Sequence, residues 1–186
     1  MDVESERAKM IAGRLYRCDD AELVAARIRA RQIVQRYGAT DPSAEDERQA
    51  LLASLFAALG GGVVLVPPFH CDYGWNISLG AGSYVNCNCV ILDCAPVTIG
   101  ATAQIGPGVM FCAATHPVDP AQRALGLEYA QPIVLGSNVW VGAGVVIGPG
   151  VTVGDNSVIG AGSVIMHDVA ANVVAAGSPC RVLRRL

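Results

Sequence analysis

An aliphatic residue recurs at every sixth position through the second half of the chain. The series runs Leu135, Val141, Ile147, Val153, Ile159 and Ile165. Glycine follows each of the first five members, and a second series at the same step contains only asparagine or glycine: Asn138, Gly144, Gly150, Asn156 and Gly162. These two residue types best tolerate the positive φ of a tight corner. Each hexad is therefore predicted to form a short strand followed by a turn.

The same phase continues upstream, with a slip of two residues in the middle. Its members there are Leu79, Val85, Ile91, Ile99, Ile105 and Phe111. A fixed short period indicates a solenoid, and a period of six predicts a parallel β-helix whose triangular coils each use three hexads. The recurring apolar side chains are expected to fill the interior of the prism. An antiparallel barrel would instead show period-two alternation over longer strands.

The first third of the chain shows helical spacing instead. Apolar residues recur at helical intervals between residues 20 and 37, at Leu23, Val24, Ile28, Ile33 and Val34. Asp19 or Asp20 is a suitable N-cap, and Gly38 is a suitable stop signal. The pattern therefore predicts a long helix over residues 20–37.

Two further helices are predicted on either side of this one. A shorter helix is expected over residues 3–12. Ser43 and Asp46 form a weak capping box before another helical series, and the glycines at 60–62 are expected to end that helix. The series is Leu51, Leu52, Leu55, Phe56 and Leu59. The chain is thus expected to have a helical cap over residues 1–62 and a β-helix with a C-terminal tail over residues 63–186.

Composition and charge argue against several classes of protein. The 186 residues suffice for one main core. No apolar run approaches the eighteen or so residues that span a bilayer. The net charge is −3 and the arginines form no continuous stripe, so neither a membrane nor a nucleic-acid partner is expected. The acidic start is unlike a secretory signal, which makes the cytosol the expected location.

The seven cysteines are odd in number and lack the paired spacing of a zinc site or the even count of a disulfide framework. Cys87, Cys89 and Cys94 come nearest to a cluster. Cys87 and Cys89, however, share a face simply because a strand has a period of two. We therefore expect buried free thiols and no bound metal.

Residues 112–132 leave the repeat. They include Pro117, Pro120 and Pro132 and have mixed polarity, so they are predicted to form a loop extruded from one coil. His116 lies in this loop, and an imidazole, which titrates near neutrality, suits a general base. The residue type alone leaves open a second role, that of a hydrogen-bonded loop histidine without catalytic function.

Several segments together resemble the maltose and galactoside O-acetyltransferase family. Besides the hexads, they are "MIAGRLY", "VPPFHCDYGWNISLGAGSYVNCNCVILD", "ATHPVDPAQR", "NVWVGAGVVIGPGVTVGDNSVIGAGSVI" and "NVVAAGSPCRV". The resemblance implies a mainly β fold, a left-handed parallel β-helix of hexapeptide repeats with an N-terminal α-helical cap. It also implies a homotrimer with active sites at the subunit interfaces.

The resemblance further implies an acetyl-CoA-dependent O-acetyltransferase with a sugar or similar small hydroxyl compound as acceptor. His116 would be the general base for direct attack in a ternary complex, without an acyl-enzyme. The positions that match acceptor-binding residues of the family are Asn86, Asp93, Tyr84, Asp72 and Glu128. The residue types alone also allow a stacked polar rung at Asn86 and a turn-closing role for Asp93.

The cosubstrate acetyl-CoA is expected along a second set of residues. Trp140 directly precedes a hexad aliphatic, so its ring should point outward. A large exposed aromatic ring is typical of a binding surface. The resemblance assigns the coenzyme A channel to Trp140, Ala143, Gly160, Ala161, Ser163, His167, Arg181 and Arg184. Ala143 replaces a serine of some relatives, so a backbone N–H must serve as the oxyanion donor. His167 and Cys18 likewise replace a lysine and an acceptor-binding aspartate.

Three other functions deserve comparison with this one. The acceptor can be a non-sugar hydroxyl or an amine of the xenobiotic type. The chain can also be a catalytically inactive β-helix scaffold, although His116, Asn86 and Asp93 argue against that function. A carbonic anhydrase of the γ type needs three imidazoles around one metal. The three histidines, His70, His116 and His167, lack the close pair typical of that site.

Overall fold

The repeat coils into a prism with three faces. The computed structural model describes residues 4–186. The helices are α1 (Glu6–Ile11), α2 (Ala21–Gly38), α3 (Glu45–Leu55) and α4 (Pro120–Ala124). The strands are β1 (Tyr16–Arg17), β2 (Ala58–Leu59), β3 (Val64–Leu65), β4 (Phe69–Cys71), β5 (Ile77–Leu79), β6 (Tyr84–Val85), β7 (Cys89–Leu92), β8 (Val97–Ile99), β9 (Gln104–Ile105), β10 (Met110–Cys112), β11 (Ala114–Thr115), β12 (Leu127–Ala130), β13 (Ile133–Leu135), β14 (Trp140–Val141), β15 (Val146–Ile147), β16 (Thr152–Val153), β17 (Val158–Ile159), β18 (Val164–Ile165), β19 (Val173–Ala176) and β20 (Arg181–Arg185).

The strands of successive coils stack into three parallel sheets, which we call faces one, two and three. Face one has the order β16-β13-β8-β5-β2, and face three has the order β18-β15-β10-β7-β4. Face two has the order β20-β19-β17-β14-β9-β6-β3, with β20 antiparallel at its end. The fold is a left-handed parallel β-helix of about six turns. The fold predicted from the hexads is confirmed.

The apolar series lies inside the prism, as predicted. Its members stack in register, so that Leu79 pairs with Ile99, Ile99 with Leu135, and Leu135 with Val153. All twelve residues of the series are at most 2% exposed. Burying each aliphatic side chain contributes roughly 1.5–3 kcal/mol. The corner series is confirmed as well, since all five of its residues have φ between 56° and 78°.

The two-residue slip lies at the corner between faces three and one. Residues 72–76 and 93–96 form this corner in two successive coils, and residues 113–132 leave from it in the next coil. Asp93 joins the first two layers, because its carboxylate accepts hydrogen bonds from the backbone N–H groups of Asp72 and Tyr73 at 3.0 and 2.8 Å. We call this stack the loop corner.

The helical cap follows the predictions in part. Asp20 caps α2 by accepting from Glu22 and Leu23 N–H groups, as expected. The capping box predicted for α3 is wrong. The N-cap residue is Ala44, whose methyl side chain cannot accept a hydrogen bond. The Ser43 hydroxyl, which was expected to cap the helix, donates to Asp41 instead.

The ends of the other helices differ from the predictions. Helix α3 ends at Leu55, before the glycines at 60–62, because the chain must extend there for β2 to pair with β5. The first strand of the solenoid therefore falls within the predicted 1–62 segment. Helix α1 begins at Glu6 with Ser5 as its cap, and the predicted start at residue 3 lies outside the described residues. Over residues 4–186, no helix is both long and apolar enough to cross a membrane.

Candidate active site

The 112–132 segment folds into local structure of its own. It leaves the solenoid after β10 and contains β11, the short helix α4 and β12. Asp119 caps α4 by accepting a hydrogen bond from the Ala121 N–H at 3.1 Å. Strand β12 pairs antiparallel with β11 on one side and with β1 of the helical cap on the other. The cap thus supplies one strand of a three-stranded sheet that carries the loop histidine.

His116 follows β11 directly and lies beside a carboxylate. Its side chain is 57% exposed, and its Nε2 lies 4.0 Å from Glu128 Oε1. The other carboxylate oxygen, Oε2, accepts a hydrogen bond of 2.9 Å from the Tyr16 hydroxyl. An accessible imidazole with a carboxylate beside it has the arrangement needed to take a proton from a small molecule.

Two thiols and a second carboxylate lie next to this group. The Cys94 thiol donates a long hydrogen bond of 3.6 Å to Asp72 Oδ2. Burial raises the pKa of the Cys94 thiol, and burial together with the neighbouring Glu128 raises the pKa of the Cys18 thiol. Both sulfurs are therefore protonated at neutral pH. Burial also raises the pKa of Asp72.

Asp93 is placed differently from the other acceptor candidates. Its side chain has no exposed surface, and backbone N–H groups occupy its carboxylate. Burial raises the pKa of Asp93 to about 6. In this conformation Asp93 fixes the loop corner and offers no surface to an acceptor. Its neighbour Cys94 points instead toward the group around His116.

A groove on face two collects four of the eight predicted coenzyme residues. It has a volume of about 540 Å³. Among its lining residues are Tyr84, Asn86, Trp140, Ala143, Gly160 and Ala161. The Trp140 ring is 58% exposed, so it points outward as predicted. Ala143 lines this groove, and its N–H has no backbone hydrogen-bond partner within residues 4–186. The groove therefore offers an apolar wall and unpaired backbone donors, among them the Ala143 N–H.

The remaining coenzyme candidates lie outside the groove. The Ser163 side chain is buried, donating to the Gly160 carbonyl and accepting from the Gly177 N–H, so only its backbone is available. Arg181 and Arg184 are exposed on β20, which extends face two beyond the groove. His167 is exposed at the corner after β18, away from the groove.

Within one chain, the predicted residues therefore form two groups. His116, Glu128, Asp72 and Asp93 lie at the loop corner. Tyr84, Asn86, Trp140, Ala143, Gly160 and Ala161 line the groove of face two, and Arg181 and Arg184 lie beyond it on the same face. His167 and the buried Ser163 side chain belong to neither group. Sequence reasoning missed two members of the first group, Tyr16 and Cys94. Tyr16 lies in the quoted "MIAGRLY" segment, but no local spacing connects it with a residue 112 positions away.

No set of three or more His, Cys, Asp or Glu side chains in the described part of the chain is arranged to hold a metal ion. All seven cysteines are free thiols.

Two family models match this chain, one over the helical cap and one over the repeat. Residues 9–60 match the maltose acetyltransferase hexapeptide capping motif, and residues 132–167 match the bacterial transferase hexapeptide, six repeats long. Nodulation protein L of Rhizobium meliloti is 46% identical over 96% of this chain and 97% of its own length.

Two solved structures are similar over almost the whole chain. A maltose O-acetyltransferase from Clostridium difficile superposes with a TM-score of 0.97 and 37% identity, covering 100% of this chain and 99% of its own. A galactoside acetyltransferase in complex with coenzyme A superposes with a TM-score of 0.93 and 40% identity, covering 98% and 92%.

Proposed function

The chain belongs to the maltose and galactoside O-acetyltransferase family of hexapeptide-repeat acyltransferases, and on that premise we propose that it moves an acetyl group to a hydroxyl of a sugar or similar small acceptor. Family membership makes the chain an acetyl-CoA-dependent O-acetyltransferase. The proposal concerns the acceptor, the base and the way in which the site is assembled.

The coenzyme lies along the groove of face two. Trp140 provides an apolar wall for the pantetheine arm, and Ala143, Gly160 and Ala161 allow close approach because their side chains are small or absent. Arg181 and Arg184 continue the same face as cations for phosphate groups. The similar galactoside acetyltransferase was solved in complex with coenzyme A, which supports coenzyme binding by this chain.

His116 acts as the general base. Its Nε2 removes the proton of the acceptor hydroxyl as the oxygen attacks the thioester carbonyl carbon. The carbonyl becomes an oxyanion, for which the free Ala143 N–H is a suitable donor. Collapse of this intermediate breaks the carbon–sulfur bond, and the departing thiolate takes the proton from the imidazolium. No acyl-enzyme is required.

The base and the coenzyme meet between two copies of the chain. Within one chain they lie on different parts of the prism, so a single copy does not bring them together. A threefold assembly would place the loop corner of one copy against the face-two groove of its neighbour. The exposed apolar side chains of Met110 on face three and Trp140 on face two support such burial.

The exposed His116 beside Glu128 is the observation that carries this proposal, and His116→Ala tests it. We expect kcat to fall by about 10²- to 10⁴-fold with nearly unchanged affinity for acetyl-CoA. The assay is release of the coenzyme A thiol over glucosides, galactosides, maltose, free glucose, hydroxylated xenobiotics and amines. A variant that keeps a tenth of the activity contradicts the role of His116. Turnover of amines alone would assign an amino acceptor, and no turnover by the unmodified protein would indicate an inactive scaffold.

A further inference from the structure

Tyr16 is a fully buried residue of the helical cap whose hydroxyl ends beside the proposed base. Its side chain has no exposed surface. The hydroxyl donates a hydrogen bond of 2.9 Å to Glu128 Oε2, while Glu128 Oε1 lies 4.0 Å from His116 Nε2. The three side chains therefore form a row that runs from the cap, through the carboxylate, to the imidazole.

Strand pairing keeps this row in register. Tyr16 of β1 lies opposite Glu128 of β12, and Thr115 of β11 lies opposite Tyr129 of β12. His116, one residue beyond Thr115, therefore comes opposite Glu128 on the other side of β12. Since β11 and β12 consist of only two and four residues, the third strand from the cap is a substantial part of this small sheet.

We propose that Tyr16 is a positioning residue that holds Glu128 against His116, so that the helical cap sets the orientation of the catalytic base. This inference rests on the proposed function of His116. Tyr16 touches neither the acceptor nor the coenzyme, and it acts through Glu128.

The chemistry of Tyr16 suits a permanent donor. Burial raises its pKa, an effect that the nearby Cys94 and Glu128 increase, so the hydroxyl keeps its proton at neutral pH. A carboxylate that is only 18% exposed needs such a donor, since an unpaired buried polar group is costly. Without the hydroxyl, Glu128 is expected to turn toward other partners.

The other polar groups around Glu128 are less suited to orienting it. Cys18 and Cys94 offer thiols, which are weak donors, and Asp72 is a second acidic group that is engaged by Cys94. Arg17, next to Tyr16, forms a salt bridge with Asp19 at 2.7 Å. On α1, which packs against β12, Lys9 pairs with Glu6 at 2.6 Å.

A double-mutant cycle separates positioning from packing. The variants are Tyr16→Phe, Glu128→Ala and the two combined. We expect Tyr16→Phe to lower kcat about tenfold and to leave the KM for acetyl-CoA unchanged, because the buried Tyr16 side chain does not touch the coenzyme. In the Glu128→Ala background, the same change should alter kcat by less than about twofold, since the acceptor of the Tyr16 hydrogen bond is gone.

The matched control is Tyr37→Phe. Tyr37 is also buried in the cap, and its hydroxyl donates to the Leu65 carbonyl, far from the loop corner. Removal of that hydroxyl should leave kcat as in the unmodified protein, even where it lowers stability. Equal losses of kcat in Tyr16→Phe and Tyr37→Phe, or additive losses for Tyr16 and Glu128, would overturn the proposal.

A spectroscopic measurement tests the same contact without any turnover. The chain has three histidines, so three sets of imidazole NMR signals are expected. Tyr16→Phe should shift the ring signals of His116 and leave those of His70 and His167 in place. Unchanged His116 signals would disprove the positioning role. If the unmodified protein transfers no acetyl group at all, the proposed function fails, whereas this measurement still decides whether Tyr16 orients the imidazole.

Discussion

The repeat between Leu135 and Ile165 and the loop corner are built on opposite principles. In the repeat, each position has one task that recurs in every coil: an apolar residue fills the interior and a residue with positive φ turns the corner. At the loop corner, single contacts such as Tyr16 with Glu128 and Asp93 with the Asp72 N–H hold the chain. The regular region supplies stability, and the irregular region supplies the polar groups that chemistry needs.

A cavity in the repeat is the strongest test of whether this region supplies the stability. Ile147 is fully buried in face three. Ile147→Ala should lower the free energy of unfolding by about 2–5 kcal/mol, because lost burial and a cavity add together. Urea denaturation measures the change. Val118→Ala is the control at the tip of the loop, where the side chain is 88% exposed, and it should change stability by less than about 0.5 kcal/mol. Equal losses at both positions would contradict the division.

This contrast also explains what the sequence could predict. The interior series and the positive-φ corners follow from a local period, so Leu135 and Asn138 were assigned correctly from spacing alone. The hydrogen bond between Tyr16 and Glu128 joins residues 112 positions apart, and no local sequence pattern predicts such a contact.

Two helix predictions are wrong for physical reasons that the spacing of apolar residues does not show. Helix α3 stops at Leu55 because strand β2 has to pair with β5, a tertiary demand that overrides helical spacing. Ser43 bonds Asp41 rather than a helix N-terminus. At the loop corner the hexad phase slips, so spacing does not reveal that Asp93 turns inward while Cys94 turns toward His116.

A second prediction concerns the pH dependence of the loop corner. The pKa of Asp93 is raised from 3.8 to about 6 in the folded protein. The protonated Asp93 side chain therefore stabilises the folded protein, and this contribution is fully present below the unfolded pKa near 3.8. It amounts to roughly 2–3 kcal/mol in total and is lost as the pH rises through about 6. Asp93→Asn should remove this dependence between pH 4 and pH 7. Denaturation curves across this range measure it, and parallel pH profiles for both proteins would contradict the assignment.

The smallest expected effect lies at the border between the two regions. Cys112 is the last residue of β10, only four positions before His116, but burial raises the pKa of its thiol and keeps it protonated. Cys112→Ala should therefore change kcat by less than about twofold. Mass spectrometry of the unmodified protein with acetyl-CoA and no acceptor should show no acetylated cysteine. A stoichiometric acetyl group that acceptor removes would replace direct transfer by a thiol intermediate.

The central claim is that the loop corner of one copy works with the groove of another, and complementation tests it most directly. His116→Ala removes the base, and Ala143→Trp fills the groove of face two. Each variant alone should be inactive. When both are co-expressed in equal amounts, about one site in four receives an intact corner and an intact groove from different copies. We therefore predict recovery of about one quarter of the unmodified activity in assemblies that native mass spectrometry shows to be mixed. Mixed assemblies that remain as inactive as either variant alone would contradict the shared site.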